Sequence, residues 1–389
     1  MYSRDVPKYE SIILGGGMVA GYAAKEAVEG GLKPGQLAIV SADQALPYER
    51  PPLSKSFLAG KDDERSVLIS DENFYREHGI DVHLNVQAGS IDLSGKRLLG
   101  KAGEEFGFKK LILATGAQVR RLDVPGANRD NVLYLRSLSD SARLRDALKN
   151  AKKVAVVGAS FIGMEVASQS AQRGCETAMV FPQDRVWKSF FTPEMSQFFQ
   201  KYYRDRGVLL APGTQVAGIG DGSVSLSSGV KLDADLVVAG VGVTPVTGIA
   251  EAVGLRVDNG IFVNEFLETS AADVYAAGDV ARYPDVLTGK RRRLEHWDNA
   301  VKQGQYVARR LRGETEPFKN IPYFFSDVFD LSYEFWGNSE GAERTEYRGD
   351  VNSSSFSAWW FKGDRVIGAF VMNRPDAERE AASQLSSVS

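Results

Sequence analysis

The chain has 389 residues, 43% of them hydrophobic, enough to bury a large core; at roughly 150 residues per domain that length points to two or three domains. Its 47 lysines and arginines nearly cancel its 50 aspartates and glutamates, so overall charge recommends neither nucleic acid nor an anionic membrane surface as partner. The start, MYSRDVPKYE, has no apolar run behind a basic stretch, and nothing later is apolar for the roughly 20 residues that a bilayer crossing needs, so a cytoplasmic protein is expected.

YESIILGGG (9–17) is an apolar run ending in glycines, MVAGYAAKEAVEGG is helical, and QLAIVS is a second strand, together a βαβ unit. KKLILATG (109–116) is a further strand. The βαβ pattern returns in KKVAVVGASFIGMEVASQSAQRGCETAMVF from residue 152, over about thirty residues, the length of a dinucleotide-binding unit. DADLVVAGVG (233–242), like 109–116, ends in glycine, as buried parallel strands do before a ligand loop. From about residue 317, PYFFSDVFDLSYEFWG and SFSAWWFKGDRVIGAFV alternate apolar and polar residues and are rich in aromatics, as antiparallel strands are. The tail AASQLSSVS is polar and is expected to be mobile.

In the first unit Gly15, Gly16, Gly17 and Gly21 leave Ala20 where a third glycine of G-x-G-x-x-G would fall. Such a loop lets backbone N–H groups and a helix N-terminus approach a pyrophosphate with no Cβ in the way. The second unit has Gly158, Ser160 and Gly163, a small hydroxyl residue replacing the middle glycine. Either loop alone also fits a ligand-free turn; two in one chain imply two dinucleotides that can meet face to face, which hydride transfer requires. Asp43, just past the second strand, is the candidate for an adenosine ribose. Its counterpart in the second unit falls among Pro182, Gln183, Asp184 and Arg185 and is not clearly acidic, leaving NADH against NADPH open.

The run GGGMVAGYAA, KPGQLAIVS and PYERPPLSKSFL resembles the opening of plant-type monodehydroascorbate reductases, within a wider group that includes ferredoxin reductases and apoptosis-inducing factor. ILATGA (112–117), VVGASFIGMEVA (156–167), FPQDRVW (181–187), GVGVTP (240–245), VYAAGDVA (274–281), RRLEHWDNA (292–300) and PYFFSDVFDLSYEFWG (322–337) resemble that family's blocks, in its order and over nearly the whole chain. The resemblance implies FAD and NADH, with NADPH open. It puts Arg50 and Lys55 on the flavin, Thr115 and Gly116 in its neighbourhood, and Asp279 at its ribityl or pyrophosphate end. It adds Gly242, Glu295, His296 and Trp297 to the cofactor contacts, and Glu165 to the nicotinamide carboxamide, paired with Lys55 as the hydride site. The bland reading makes Glu165 a solvated helix carboxylate and Lys55 a surface lysine. A helix starting near His296 and Trp297 would aim its positive end at the flavin, as the Lys55 ammonium would.

Ascorbyl radical is a small anion that calls for a cation and a polar or aromatic group at the flavin edge. The arginine that follows E-H-x-D-x-A in the plant-type family is Val301 here, and PYFYS is PYFFS, so Phe325 stands where a tyrosine would. Lys302, Arg292 or Arg293 could supply the charge, although KRRR (290–293) also reads as a solvated turn. Trp297 and Phe325 could instead form an aromatic entrance for a quinone or pack under a docking protein. His78 and His83, in a loop and at an exposed strand position, lack partners at metal-site spacing, so no metal is expected. Cys175, the one cysteine, excludes an intrachain disulfide relay and reads as a buried small residue.

The expected fold is α/β: two doubly wound Rossmann-like nucleotide-binding domains plus a C-terminal α+β domain. The FAD domain would comprise 1–119 and 246–316, the NAD(P)H domain 120–245 and the C-terminal domain 317–389. The expected activity is hydride transfer from NAD(P)H to flavin, then electron transfer to monodehydroascorbate. The alternatives are a ferredoxin, rubredoxin or quinone as acceptor, or a redox-sensing binding protein like apoptosis-inducing factor.

Overall fold

The structure is a computed structural model that describes residues 6–285 and 288–386. It is a mixed α/β fold built on three sheets. In the first sheet, strands Asp81–His83, Leu37–Val40, Lys8–Leu14 and Glu105–Leu113 run parallel in that spatial order. An antiparallel hairpin, Ala88–Asp92 and Arg97–Gly100, extends it. Val274–Ala276, from far along the chain, pairs parallel with Glu105–Leu113 on the same sheet. Ile12, Ile39, Leu111 and Ile112 are fully buried, as continuous apolar strands covered on both faces require.

The second sheet is wholly parallel, in the order Leu209–Pro212, Glu176–Phe181, Lys153–Val157, Leu236–Ala239, Val132–Tyr134. Cys175 lies buried just before its Glu176–Phe181 strand, where burial raises the thiol pKa, so it is an inert core residue. Two short antiparallel strands, Ala117–Val119 and Val243–Pro245, carry the chain out of the first sheet and back. The third sheet is antiparallel, ordered Tyr323–Val328, Leu331–Gly337, Arg365–Met372, Phe356–Lys362, Arg344–Gly349.

Two sequence expectations are corrected. The tail belongs to the helix Pro375–Ser386, with Ala377, Ala381 and Leu385 at i, i+4 and i+8 buried against Trp359, Phe361 and Val371 of the third sheet. Residues 387–389 lie outside the described residues. His83 is half-buried rather than exposed: its Nε2 lies 3.2 Å from the Tyr9 hydroxyl, its ring packs on Phe106, and burial lowers its pKa.

The helix Met18–Glu29 lies against Trp297–Leu311 so closely that a Cβ on Gly304 would sit 2.7 Å from Val19 O. Gly304→Ala is therefore expected to destabilise the fold by about 1–3 kcal/mol through overpacking, read as a lower thermal-unfolding midpoint.

Candidate active site

A cavity of about 650 Å³ opens where the three sheets converge. Three helices without a side-chain cap begin on its wall: Met18–Glu29 after Gly17, Phe161–Gln172 after Ser160, and Trp297–Leu311 after His296. The helices after Asp71 and Thr192, away from the cavity, receive such a cap, as does the helix after Ser137, which also lines the cavity; these three receive none. Their first N–H groups are thus left for a ligand, with the positive end of each helix at the cavity.

The glycine loop explains itself locally. Gly15 adopts φ +126°, and a Cβ there would run into the Ala114 carbonyl, while one on Gly16 would run into the Ser41 hydroxyl. A Cβ on Gly17 would meet only Arg50 Nη2, at 4.0 Å, so the loop leaves room for close backbone approach to a ligand. Gly21 serves packing: its Cβ would meet Ile69 at 2.6 Å, and it does not line the cavity. In the second unit a Cβ on Gly158 would strike Gly240 O and one on Gly163 would strike Gly158 O, so these glycines let the helix press onto the strand ends rather than line the cavity. Gln183 is exposed at the end of the Glu176–Phe181 strand, also off the cavity wall.

The other expected cofactor residues line the cavity: Asp43, Arg50, Lys55, Thr115, Gly116, Glu165, Gly242, Asp279, Glu295, His296 and Trp297. Asp43 is fixed by the Tyr48 hydroxyl at 2.9 Å, and the Thr115 hydroxyl donates to Val246 O at 2.6 Å where the chain re-enters. Arg50 donates to the Arg136 carbonyl, and Arg136 pairs with Asp279 at 2.7 Å, joining the second unit to the first. Burial pushes the Arg50 guanidinium below its ordinary pKa, and among the described residues it forms no ion pair. His296 Nδ1 is buried without a hydrogen-bond partner, and burial lowers the imidazole from 6.5 to about 4, so it is neutral near pH 7. A guanidinium with no direct ion pair, an unpartnered ring nitrogen, a glycine cradle and three uncapped helix ends together fit a bound dinucleotide such as FAD.

Glu165 is 3% exposed, far from a solvated helix carboxylate. Its Oε1 accepts from Lys55 Nζ at 2.7 Å and Ser326 Oγ at 2.5 Å, and its Oε2 from Ser54 Oγ. The Lys55 ammonium also lies 5.4 Å from the centre of the Phe325 ring, which meets Trp297 edge-on at 6.1 Å. The Trp297 indole N–H donates to Glu49 at 2.6 Å, and Glu49 accepts from the Tyr22 hydroxyl at 2.5 Å. Ser54, Ser326, Arg136 and Glu49 escape sequence reading. Serine, arginine and glutamate are common anywhere, and only folding brings these to the site.

Each candidate substitute for the missing cation has an ion-pair partner. Val301 is buried in the first-sheet core. Lys302 turns to Asp298 at 2.9 Å and Asn320 at 3.0 Å, beside a separate small hollow. Arg292 pairs with buried Asp285 at 2.7 Å. Arg293 donates to Asp279 O and pairs with Glu295. Within 290–293, Arg292 and Arg293 thus form ion pairs inside the fold, while Lys290 reaches Glu340 on the surface. No cluster of three metal-ligating side chains occurs among the described residues, and no helix among them is long and apolar enough to cross a membrane.

Residues 9–304 match the pyridine nucleotide-disulphide oxidoreductase family, and residues 321–389 match the C-terminal domain of monodehydroascorbate reductase 3-like proteins. Monodehydroascorbate reductase of Pisum sativum is 36% identical, covering 98% of this chain and 94% of that protein. The peroxisomal monodehydroascorbate reductase 4 of Arabidopsis thaliana is also 36% identical, over 96% of this chain and 81% of its own. Among solved structures, the covalent putidaredoxin reductase–putidaredoxin complex superposes with a TM-score of 0.93 at 30% identity, covering 97% of this chain and 93% of that one. The ferredoxin reductase for the CYP199A2 system of Rhodopseudomonas palustris gives 0.92 at 35% identity, covering 96% and 93%.

The His296 shift makes stability depend on pH. Between about 4 and 6.5 the unfolded chain binds a proton that the folded chain refuses, so this contribution is complete above pH 6.5 and is lost as pH falls toward 4. His296→Gln should flatten the fall in thermal-unfolding midpoint over that window relative to the parent protein.

Proposed function

The chain belongs to the pyridine nucleotide-disulphide oxidoreductase family and is an FAD-dependent NAD(P)H oxidoreductase, and within that family we propose that its electron acceptor is monodehydroascorbate. The observation that supports this reading is that Phe324 and Phe325, from the segment matching the monodehydroascorbate reductase 3-like C-terminal domain, line the cavity.

When bound, FAD takes a hydride from reduced nicotinamide and can release the electrons one at a time. The chain's own groups do the rest. The uncapped helix ends and the open Gly17 hold phosphates, Asp43 a ribose hydroxyl, and Arg50 a negative charge. The Glu165 carboxylate, held by three donors, offers an acceptor to the carboxamide of the nicotinamide. Lys55 places a positive charge where negative charge arrives, in a pocket whose walls of Phe161, Phe324 and Phe325 keep water out and strengthen that attraction.

A second reading, a ferredoxin-type acceptor, is favoured by one observation. Of the cavity's cations Lys55 and Arg136 are already paired, and Val301 and Lys302 supply none at this end, which is aromatic instead: Trp297, Phe324 and Phe325.

Purified yellow protein should oxidise NADH or NADPH rapidly when ascorbate oxidase generates ascorbyl radical continuously, and slowly without it. Easy flavin reduction with no acceleration by the radical, but acceleration by a small iron–sulphur ferredoxin, would replace the first reading with the second. Lys55→Met and Glu165→Gln are each expected to lower the rate of flavin reduction by NAD(P)H roughly a hundredfold, on the scale of losing one preorganised electrostatic group.

A further inference from the structure

We propose that Ser326, contributed by the C-terminal sheet, is a positioning residue that fixes the Glu165 carboxylate for the nicotinamide. Along Tyr323–Val328, Phe324, Ser326 and Val328 form the buried row, so a hydroxyl stands between two apolar side chains. Burying a hydroxyl is unfavourable unless it finds a partner, and the partner of this fully buried one is Glu165 Oε1, at 2.5 Å.

The turn just past this strand is tied to the same helix, three residues further on in each segment. Phe329 N–H donates to Ser168 Oγ at 2.6 Å, just as Ser326 donates to Glu165. Residues 165 and 168 share a helix face, so the two bonds lock the register of the helix against the sheet. The second bond uses a backbone N–H, which any residue at 329 other than proline would supply. The first uses a side chain aimed at the carboxylate that Lys55 also holds, on the same oxygen.

Lys55 and Ser326 together set where Oε1 lies, and Ser54 sets Oε2. With Ser326 gone, Oε1 follows the flexible lysine alone. The carboxylate then no longer meets the carboxamide in one fixed place, and its charge near the flavin is less offset. This inference rests on the reading of Glu165 as the nicotinamide contact, and the test separates the two.

The holoenzyme and its Ser326→Ala, Glu165→Gln and doubly substituted forms are compared for anaerobic flavin reduction at saturating NADH, the Kd of NAD+ and the flavin midpoint potential. Ser326→Ala alone should slow reduction about tenfold, weaken NAD+ and move the potential to more negative values, as loss of a hydrogen bond to a charged group implies. Added to Glu165→Gln it should change none of the three. Equal losses in both backgrounds would mean that Ser326 matters only to the fold, and no loss in either would mean that it does nothing; each result overturns the proposal. If Glu165→Gln is itself silent, the nicotinamide role of Glu165 fails instead, and the positioning role with it. Should Ser326→Ala retain flavin poorly, Ser326→Cys, which keeps the volume but donates weakly, should show the same losses in smaller measure; parent-like values in Ser326→Cys would overturn the proposal.

Discussion

A lysine and a glutamate 2.7 Å apart, with side chains 14% and 4% exposed, are the contact around which this molecule is arranged. Taking two such charges out of water costs several kcal/mol each, and their attraction offsets that only when the geometry is good and the remaining lone pairs are occupied. Here the remaining acceptor sites take two serine hydroxyls. Lys55 and Ser54 follow the first βαβ unit, Glu165 stands on the helix of the second, and Ser326 comes from the third sheet. The pair therefore exists in this form only when all three parts are docked.

What docks them is aromatic. The second sheet and the third share one core, in which Phe191 stacks on Phe199 at 4.5 Å and both meet Tyr333. Phe161, at the start of the helix that carries Glu165, packs on Trp187 at 4.1 Å and on Phe324 at 4.7 Å. Close-packed rings of this size leave little room for the sheets to slide, which keeps hydrogen bonds of 2.5–2.7 Å in register across a junction between distant segments.

The parallel strands, the glycine turns and the antiparallel aromatic segment were legible because each rests on short-range pattern: apolar runs, glycine at strand ends, alternation. The Lys55–Glu165 pair was legible only by resemblance, since nothing near either residue says that 110 positions of chain close onto one contact. Lys302 misled because a lysine next to a missing arginine looks available, whereas Asp298 one helical turn earlier claims it. The tail misled because AASQLSSVS, read alone, hides an alanine–leucine stripe that begins at Ala377. Ser326 was invisible for the opposite reason. In its strand it looks like an interruption of the apolar row, and its meaning lies wholly in the helix opposite.

The pairing of Val274–Ala276 with Glu105–Leu113 has a consequence for synthesis. As the chain leaves the ribosome, the second sheet, drawn from residues 132 to 212 and 236 to 239, is complete while the first still lacks a strand, so the later-begun unit is the one able to close first. The first sheet must wait, one edge open, through more than a hundred residues of intervening chain, and an unpaired edge in an unfinished sheet is where neighbouring nascent chains attach to one another.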